Sequence, residues 1–350
     1  MRITDVDLFR VEIPLIPAIS KYTQKIYDIT ICRIQTDEGL VGIGEDAIYH
    51  MTPERRAAFE QKAASYSGQD PLKMDPFAEP ALFECALLDI AGQAYGIPVH
   101  RFFGRKVRDK VPVSYWSVPM EPEDTAKEAE VGARLGFSNH KLKARSWNIV
   151  QTVRLMKEVA GPDYTVGVDP NTEFKYLHVA TRLAEELEAF GTVSMFEDPM
   201  IKERLDWYRL LRQKTHIPMA LHFGAPQAAG GRPCNGADVL EALKAECIDY
   251  ANLGGTAREI MAAAAVAGAA DVPIWVQMGG VCLGVLTAYS VHLQSTLTNE
   301  LLSCDELPFV RVADVLGGSL GLEQGHFIVP EGPGLGVELD MQVVEKYRVA

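Results

Sequence analysis

Residues 139–143 read NHKLK, a short run in which Lys141 and Lys143 stand on either side of Leu142. Further along, YTVGVD at 164–169 and TVSMFED at 192–198 are also short apolar runs, and both end on an acidic residue. Short apolar runs that alternate with helical stretches are typical of βα units in a parallel sheet. This part of the chain therefore predicts parallel strands. Because side chains alternate along a strand, both lysines should lie on one face.

The same alternation extends over most of the chain. Apolar runs end near residues 117, 143, 169, 198, 222, 250, 277 and 304. The interval is about 24–29 residues, which is the length of one βα unit. Eight such units predict a closed (β/α)8 barrel of the TIM type rather than an open, doubly wound sheet.

The N-terminal part has a different pattern. ITDVDLFRVEI at 3–13 alternates apolar and polar residues, and YDITICRIQTDEGLVGIGE at 27–45 predicts a hairpin around TDEG. Helices are predicted over 53–66 and 77–95, the second ending before Gly96. This order predicts an α+β unit.

These patterns divide the chain into two predicted domains. We expect an N-terminal α+β capping domain over residues 1–110 and the barrel over 111–325. The segment 326–350 is rich in glycine and proline and then strand-like, and we expect it to return to the capping domain.

Composition limits the possible partners. The 350 residues carry a net charge of −13, which argues against nucleic acid and against an anionic membrane surface. The six cysteines form no CxxC pair, and the charged start MRITDVDLFR does not resemble a signal peptide. No apolar run approaches the roughly 18 residues of a membrane span. We therefore expect a cytoplasmic protein with reduced cysteines that acts on a small molecule.

Polar side chains recur at the carboxyl ends of the predicted strands, where the active site of such a barrel lies. Singly, each has an ordinary explanation, such as a turn aspartate, a core histidine or a solvated lysine face. Their recurrence at one βα period instead indicates a functional site. The candidates, in chain order, are Trp116, Lys141, Lys143, Asp169, Asn171, Glu197, Asp198, His222, Asp249, Asn252, Gln277, Asp305 and Glu306.

The residue types suggest a chemistry. Asp169 and Glu197 end adjacent predicted strands and could bind a hard divalent cation. Such a cation can hold a substrate carboxylate and stabilise the charge that builds up on it. A lysine beside a second cation has a lowered pKa, so the pair predicts Lys143 as a base assisted by Lys141. The predicted reaction removes the proton α to a carboxylate and gives a metal-stabilised enediolate.

These residues resemble the enolase superfamily, in particular its mandelate racemase/muconate lactonising branch, whose lysine or histidine bases and Mg²⁺ are a known pattern. The resemblance spans nearly the whole chain. It rests on ALFECALLDIAGQAYGIPVHRFFG at 81–104, on GFSNHKLKA with its KxK motif, on VGVDPN, on MFEDP and on VPEGPGLGVELD at 329–340.

The resemblance implies roles for individual residues. Lys143 matches the base on one face of the substrate, and Lys141 matches the lysine that assists it and faces the carboxylate. Asp169 and Glu197 match metal ligands, most simply for Mg²⁺. Further implied contacts to a small carboxylate substrate are Asn171 beside the metal and Tyr22 in a specificity loop over Ile19–Tyr27. Trp116, at the end of the first predicted strand, is either a substrate contact or a core residue. The resemblance also implies a homo-oligomer.

The sequence departs from the family pattern at three positions. The third metal ligand should be a carboxylate, but the candidate registers hold His222 and Phe223, and imidazole suits Mn²⁺, Fe²⁺ or Zn²⁺ better than Mg²⁺. Asp249 matches the position of a dyad aspartate or of a base on the opposite face. Gln277 stands where the dyad histidine would be and cannot act as a base.

Three functions therefore stay open. Dehydration of a hydroxy acid, for example an acid sugar, needs one base such as Lys143 and an acid, for which His222 is a candidate. Racemisation or epimerisation needs a second base, for which Asp249 is the candidate. The third possibility is a barrel that binds an anion and has lost catalysis.

On the eighth strand, Asp305 or Glu306 should contact the substrate, with the register left open.

Overall fold

The computed structural model describes residues 1–24, 27–48, 50–224 and 232–349. Its first hundred residues form a sheet with helices packed against it. In chain order these elements are β1 (Ile3–Val11), α1 (Pro17–Ser20), β2 (Asp28–Thr36), β3 (Val41–Ile48), α2 (Pro53–Ser65), α3 (Ala81–Tyr95) and α4 (His100–Phe103), with 3-10 turns at Pro71–Lys73 and Pro76–Ala78.

The capping sheet is antiparallel. β2 pairs with β1 and with β3, so the predicted hairpin is present. α3 packs closely on β3, because a Cβ at Gly42 or Gly44 would lie within about 2 Å of a backbone oxygen of this helix. α3 ends at Gly96, whose φ of +66° is the left-handed conformation expected of a C-terminal glycine.

The rest of the chain alternates strands and helices. In chain order the elements are β4 (Lys110–Pro112), β5 (Tyr115–Ser117), α5 (Pro122–Arg134), β6 (Asn139–Lys143), α6 (Ile149–Ala160), β7 (Thr165–Asp169), α7 (Leu177–Glu188), β8 (Val193–Glu197), α8 (Leu205–Arg212), β9 (Met219–Phe223), α9 (Gly236–Lys244), β10 (Tyr250–Leu253), α10 (Ala257–Ala269), β11 (Ile274–Val276), α11 (Gly284–Gln294), β12 (Leu322–Glu323), β13 (His326–Ile328), α12 (Met341–Tyr347) and β14 (Arg348–Val349), with a 3-10 turn at Pro308–Val310.

Strands β5 to β11 form one parallel sheet in sequential order. The eighth barrel position holds the segment 300–304, which makes isolated parallel bridges from Leu301 to Ile274 and from Cys304 to Val113. Because these bridges reach both edges of the sheet, they close the barrel. In the described chain after 305, only a 3-10 turn stands where an eighth barrel helix would be.

The C-terminal segment returns to the cap, as expected. β14 pairs with β1, and the buried Asp89 on α3 accepts hydrogen bonds from the Leu335 and Ile43 backbone N–H groups. β13 pairs with β4 beside the first barrel strand. The division into domains at residues 110 and 325 stays a prediction.

Two further expectations concern the whole chain. All six cysteines are buried and free, as predicted from their scattered positions. In the described ranges, no helix is both long and apolar enough to cross a bilayer.

Candidate active site

The two lysines of NHKLK both lie inside the barrel, because Leu142 between them points the other way into the core. Lys141 is the deeper of the two, with 2% of its side chain exposed, whereas Lys143 at the strand end is 19% exposed. The carboxyl ends of β7 and β8 bring acidic groups beside them. The opening motif therefore forms the floor of the site.

Three carboxylates converge on the Lys141 ammonium group. Its Nζ lies 2.6 Å from Asp305 Oδ2, 2.5 Å from Glu197 Oε2 and 3.3 Å from Asp169 Oδ2. The Trp275 ring lies beneath it, 5.6 Å from Nζ to the ring centroid. Burial would lower the pKa of Lys141, but the three carboxylates outweigh it and hold the pKa well above its usual value. Lys141 is therefore a permanent internal cation.

Among the described residues, Lys143 has one ionic partner. Its Nζ contacts Asp169 Oδ2, and Lys143 also lines the cavity above the cluster. Both lysines line this cavity, and Lys143 is the more exposed of the two. Whether Lys141 makes Lys143 a better base at neutral pH stays a prediction, because Asp169 supplies an opposing charge.

Asp169 is fully buried between the lysines. Burial would raise the pKa of Asp169, but the Lys143 and Lys141 ammonium groups hold it below its usual range. The Asn171 backbone N–H donates to Asp169 Oδ1 at 2.9 Å, with Asn171 at φ +48°. The side chain of Asn171 is exposed, so the observed role of this residue is to orient Asp169 through its backbone.

Glu197 is the second buried carboxylate. Asn252 Nδ2 donates to Glu197 Oε1 at 2.9 Å, while Oε2 has the Lys141 ammonium beside it. Burial and the neighbouring Asp169 raise the pKa of Glu197 to about 8, against the opposing effect of Lys141.

The structure decides between the two registers at the end of β9. His222 points into the barrel, with Nδ1 3.8 Å from Glu197 Oε1, whereas Phe223 is packed in the hydrophobic core. Burial, with Lys202, Lys141 and Lys143, lowers the pKa of His222 well below its usual value. The imidazole is therefore neutral at physiological pH. The role of His222 as an acid stays a prediction.

A buried ion pair fixes the backbone of His222. Lys202 Nζ lies 2.6 Å from Asp198 Oδ2 and donates to the His222 carbonyl oxygen at 3.0 Å. Asp198 Oδ1 in turn accepts from the His222 N–H at 3.0 Å. No feature of the sequence indicated a role for Lys202, since a lysine in a βα loop is usually solvated.

Side chains at the ends of β8 and β9 offer ligand atoms for a divalent cation. One ligand atom each from Glu197, Asp198 and His222 lies within 4.8 Å of the others. The Asp198 oxygens already bind Lys202 and the His222 N–H. Asp169, the other predicted ligand, lies outside this group, and its oxygens bind the Asn171 N–H and the two lysines. Glu197 and neutral His222 with one of these two aspartates give one imidazole and two carboxylates, a donor set that fits a divalent cation.

The prediction of Asp249 as a catalytic residue is wrong. Asp249 precedes β10 at the amino end of the strand, where it pairs with Arg212 and accepts from the Met219 N–H at 2.8 Å. The residue at the carboxyl end of β10 is Asn252, whose amide bridges Glu197 and Gln277. Asn252 and Gln277 are both amides that cannot accept a proton at neutral pH.

The register of the eighth strand is also settled. Asp305 points inward, where it binds Lys141 and accepts from Trp275 Nε1 at 2.9 Å. The prediction that Glu306 contacts substrate is wrong. It is fully buried and accepts hydrogen bonds from the Met278 and Gly279 N–H groups and from Ser290. It therefore shapes the loop after β11.

A small cavity of about 40 Å³ lies above the lysines. Trp116 and Gln277 line it, and Tyr27 lines it from the cap; their contacts to a substrate stay a prediction. Tyr22, the predicted contact, is instead turned towards α5, where its hydroxyl donates to Asp124 at 2.7 Å. Residues 25 and 26 of the predicted specificity loop lie outside the described residues.

The chain is similar to known proteins over most of its length. A family model described as "Enolase C-terminal domain-like" matches residues 124–343. A D-galactonate dehydratase of Pectobacterium atrosepticum is 26% identical over 89% of this chain and 89% of its own. An N-succinyl-L-Arg/Lys racemase of Bacillus cereus is 23% identical over 100% of this chain and 98% of its own.

Solved structures share the fold. The crystal structure of the N-succinyl Arg/Lys racemase from Bacillus cereus matches with a TM-score of 0.83 at 22% identity, covering 100% of this chain and 99% of that one. A dipeptide epimerase from Cytophaga hutchinsonii, complexed with Mg and a dipeptide, matches with a TM-score of 0.82 at 22% identity, covering 99% and 98%.

Proposed function

Because the chain belongs to the mandelate racemase/muconate lactonising branch of the enolase superfamily, we propose that it removes the proton α to the carboxylate of a small hydroxy acid and expels the β-hydroxyl as water. The observation that carries the proposal is the distribution of bases around the cavity. Lys143 stands at the end of the second barrel strand, and the sixth and seventh strands end in amides, Asn252 and Gln277.

This arrangement favours chemistry with one base. The second and sixth strands of an eight-stranded barrel face each other, so a base opposite Lys143 would be expected where Asn252 lies. Racemisation needs proton transfer on both faces of the α-carbon, whereas elimination needs one face only. The D-galactonate dehydratase among the relatives is consistent with elimination.

Lys143 can serve as both base and acid. The neutral amine takes the α-proton, and the electron pair of the C–H bond moves onto the carboxylate group to give an enediolate. From the enediolate this electron pair then forms the double bond to the β-carbon. The β-hydroxyl leaves with the electron pair of its C–O bond and takes a proton from the Lys143 ammonium to form water. The resulting enol rearranges to a 2-oxo acid. This route needs no protonated His222.

Asp169, Glu197 and His222 would hold the divalent cation that the family implies. When bound, such a cation supplies positive charge that holds the substrate carboxylate and stabilises the charge that builds up on it. Magnesium is the ion of the dipeptide epimerase complex, while the imidazole here favours a softer ion such as Mn²⁺.

The test uses separated epimers at C2 of a panel of hydroxy acids, incubated with the protein in deuterated water with Mg²⁺ or Mn²⁺. One-base elimination predicts reaction of a single C2 epimer, with a 2-oxo acid as product and no build-up of the other epimer. Interconversion of both epimers would instead assign a racemase or epimerase. No exchange or product across the panel would leave a barrel that binds an anion without catalysis.

A further inference from the structure

The cavity above Lys143 has a polar floor and apolar sides. Lys141, Lys143, Gln277 and Asp305 form the floor, at the carboxyl ends of the barrel strands. The sides are Trp116 from the first strand, Tyr27 from the cap, and Val281 and Leu307 from the loops after the seventh and eighth strands. A substrate whose carboxylate and α-carbon lie on the floor would therefore place its remaining atoms against these side chains.

The apolar wall continues into the cap. Trp116, Val281 and Leu307 belong to one buried hydrophobic cluster. The same cluster contains Met120 and, from the cap segment over residues 15–24, Leu15 and Ile19. Tyr22 and Tyr27 pack against the same cluster. A longer substrate chain would thus have to displace apolar cap residues rather than enter water.

Some polar atoms of the floor are already engaged, whereas Asp305 Oδ1 has no hydrogen-bond partner among the described residues and Gln277 Nε2 lies near Gly280. Asp305 binds Lys141 and Trp275, and Gln277 Oε1 accepts from Asn252. The buried guanidinium of Arg311 donates to the backbone oxygens of Ile13 and Val281. A polyhydroxylated chain needs a partner for every buried hydroxyl group, and leaving one without a partner costs free energy. Beyond the floor, the polar side-chain groups of the described lining residues are the Tyr27 hydroxyl and the Trp116 indole N–H, so the sides offer few such partners beyond the reacting carbons.

We propose that the substrate is a short 2,3-dihydroxy acid that carries an apolar group next to the reacting carbons, and not a polyhydroxylated sugar acid. The inference rests on the proposed elimination for its choice of the two hydroxyl groups. It departs from the acid-sugar substrate expected from the sequence, because the walls of this cavity match a branched alkyl or aromatic group.

The experiment compares two probes of nearly equal size, racemic 2,3-dihydroxy-4-methylpentanoate and D-xylonate. Formation of 2-oxo acid is measured for each with the whole protein and Mn²⁺, and binding of each is measured by calorimetry. We expect kcat/KM for the methylpentanoate to exceed that for xylonate at least 10-fold, with tighter binding in the same order. Equal values or a preference for xylonate would overturn the inference while leaving the elimination intact.

Binding separates the two proposals if neither probe reacts. The elimination would then fail, and tighter binding of the methylpentanoate would still support the apolar site. Binding of neither acid, or of xylonate at equal strength, would overturn it.

A near-isosteric variant tests the wall itself. Val281→Thr puts a hydroxyl group into the wall and should reduce the preference for the methylpentanoate at least threefold. Val312→Thr, at an exposed valine, should leave the preference unchanged. An unchanged preference in Val281→Thr would contradict the assignment of this wall.

Discussion

Lys141 shows how one buried residue organises the site. Its ammonium group is almost inaccessible and is the common partner of three carboxylates from three different barrel positions. Removing one partner of a buried ionic cluster leaves uncompensated charge in a medium of low polarity.

Lys141→Met should therefore lower the free energy of unfolding by about 3–5 kcal/mol. Lys143→Met should lower the free energy of unfolding clearly less, because Lys143 is more exposed and Asp169 is its one ionic partner among the described residues. Urea unfolding of the metal-stripped proteins measures both. Equal losses, or no loss in Lys141→Met, would show that Lys141 does not hold the carboxylates together.

His222 stands where the family pattern has a carboxylate as the third metal ligand. The wild-type protein should bind Mn²⁺ more tightly than Mg²⁺, because imidazole favours the softer ion. His222→Ala should weaken Mn²⁺ binding at least 10-fold in calorimetry, and His216→Ala, at an exposed histidine, should not. Wild-type affinity in His222→Ala would remove the imidazole from the ligand set.

At this scale the sequence predicted the residues that depend on strand alternation alone. Lys141 and Lys143 share a face because they are two apart, and Asp169 and Glu197 end the next two strands. Asp249 and Glu306 were misplaced because the ends of short strands are uncertain by a few residues, and one residue reverses the direction of a side chain. Asn252 was visible at the end of its strand, but an amide gave no chemical reason to select it.

Among the elements, the cap segment over residues 15–24, which holds α1, packs against the apolar side of the cavity. Lys21 and Tyr22 both contact Asp124 in the first turn of α5, and Lys127 contacts its other oxygen. This contact fastens the cap segment to the barrel beside the site.

Asp124→Asn should loosen the cap segment without unfolding the protein, because exposed ion pairs contribute little to global stability. We expect severalfold faster amide hydrogen exchange over residues 15–24, measured by mass spectrometry, with an unchanged melting temperature. Asp109→Asn, at an exposed aspartate paired with Lys106, is the control. Unchanged exchange in Asp124→Asn would show that the contacts of Asp124 do not hold the cap segment.

The element pattern was predictable where each strand is followed by a helix. The eighth run, ELLSCDE, has the same composition and lies in the predicted place, yet it makes only isolated bridges. Similarly, the predicted strand VPVSYWS divides into β4, which pairs with β13, and β5, which pairs with β6. Periodicity reports burial, and it does not report which partner supplies the hydrogen bonds.

For the whole molecule, Glu45 links the cap to the barrel. From β3 its carboxylate accepts hydrogen bonds from the Leu283 and Leu286 N–H groups at the start of α11. Burial raises the pKa of Glu45 to about 8, and the two N–H groups oppose this. The unfolded chain has the ordinary glutamate pKa of about 4.3.

The pH dependence follows from these two values. A raised folded pKa contributes stability that is fully present below about pH 4.3 and is lost as pH rises through about 8. Between pH 5 and 8 the free energy of unfolding of the wild type should fall by up to about 1.4 kcal/mol per pH unit more than that of Glu45→Gln. Urea unfolding across this range measures the difference, with Glu203→Gln at an exposed glutamate as control. Parallel pH profiles for wild type and Glu45→Gln would contradict the assignment.

The architecture of the molecule could be predicted because it repeats. Eight apolar runs at one spacing predict a barrel, and the alternating start of the chain predicts a separate sheet. The way the two parts join could not be predicted, since it depends on single long-range contacts such as Glu45 to α11 and Asp89 to Leu335. The homo-oligomer stays a prediction.

The most direct test of the account is the rate of α-proton exchange into deuterated water in Lys143→Arg, which keeps a cation but cannot act as a base near neutral pH. We predict a loss of about 10²–10⁴-fold for a substrate that the wild type exchanges. Lys244→Arg, at an exposed lysine, should exchange at the wild-type rate. Exchange at the wild-type rate in Lys143→Arg would show that Lys143 supplies charge only and that the base lies elsewhere.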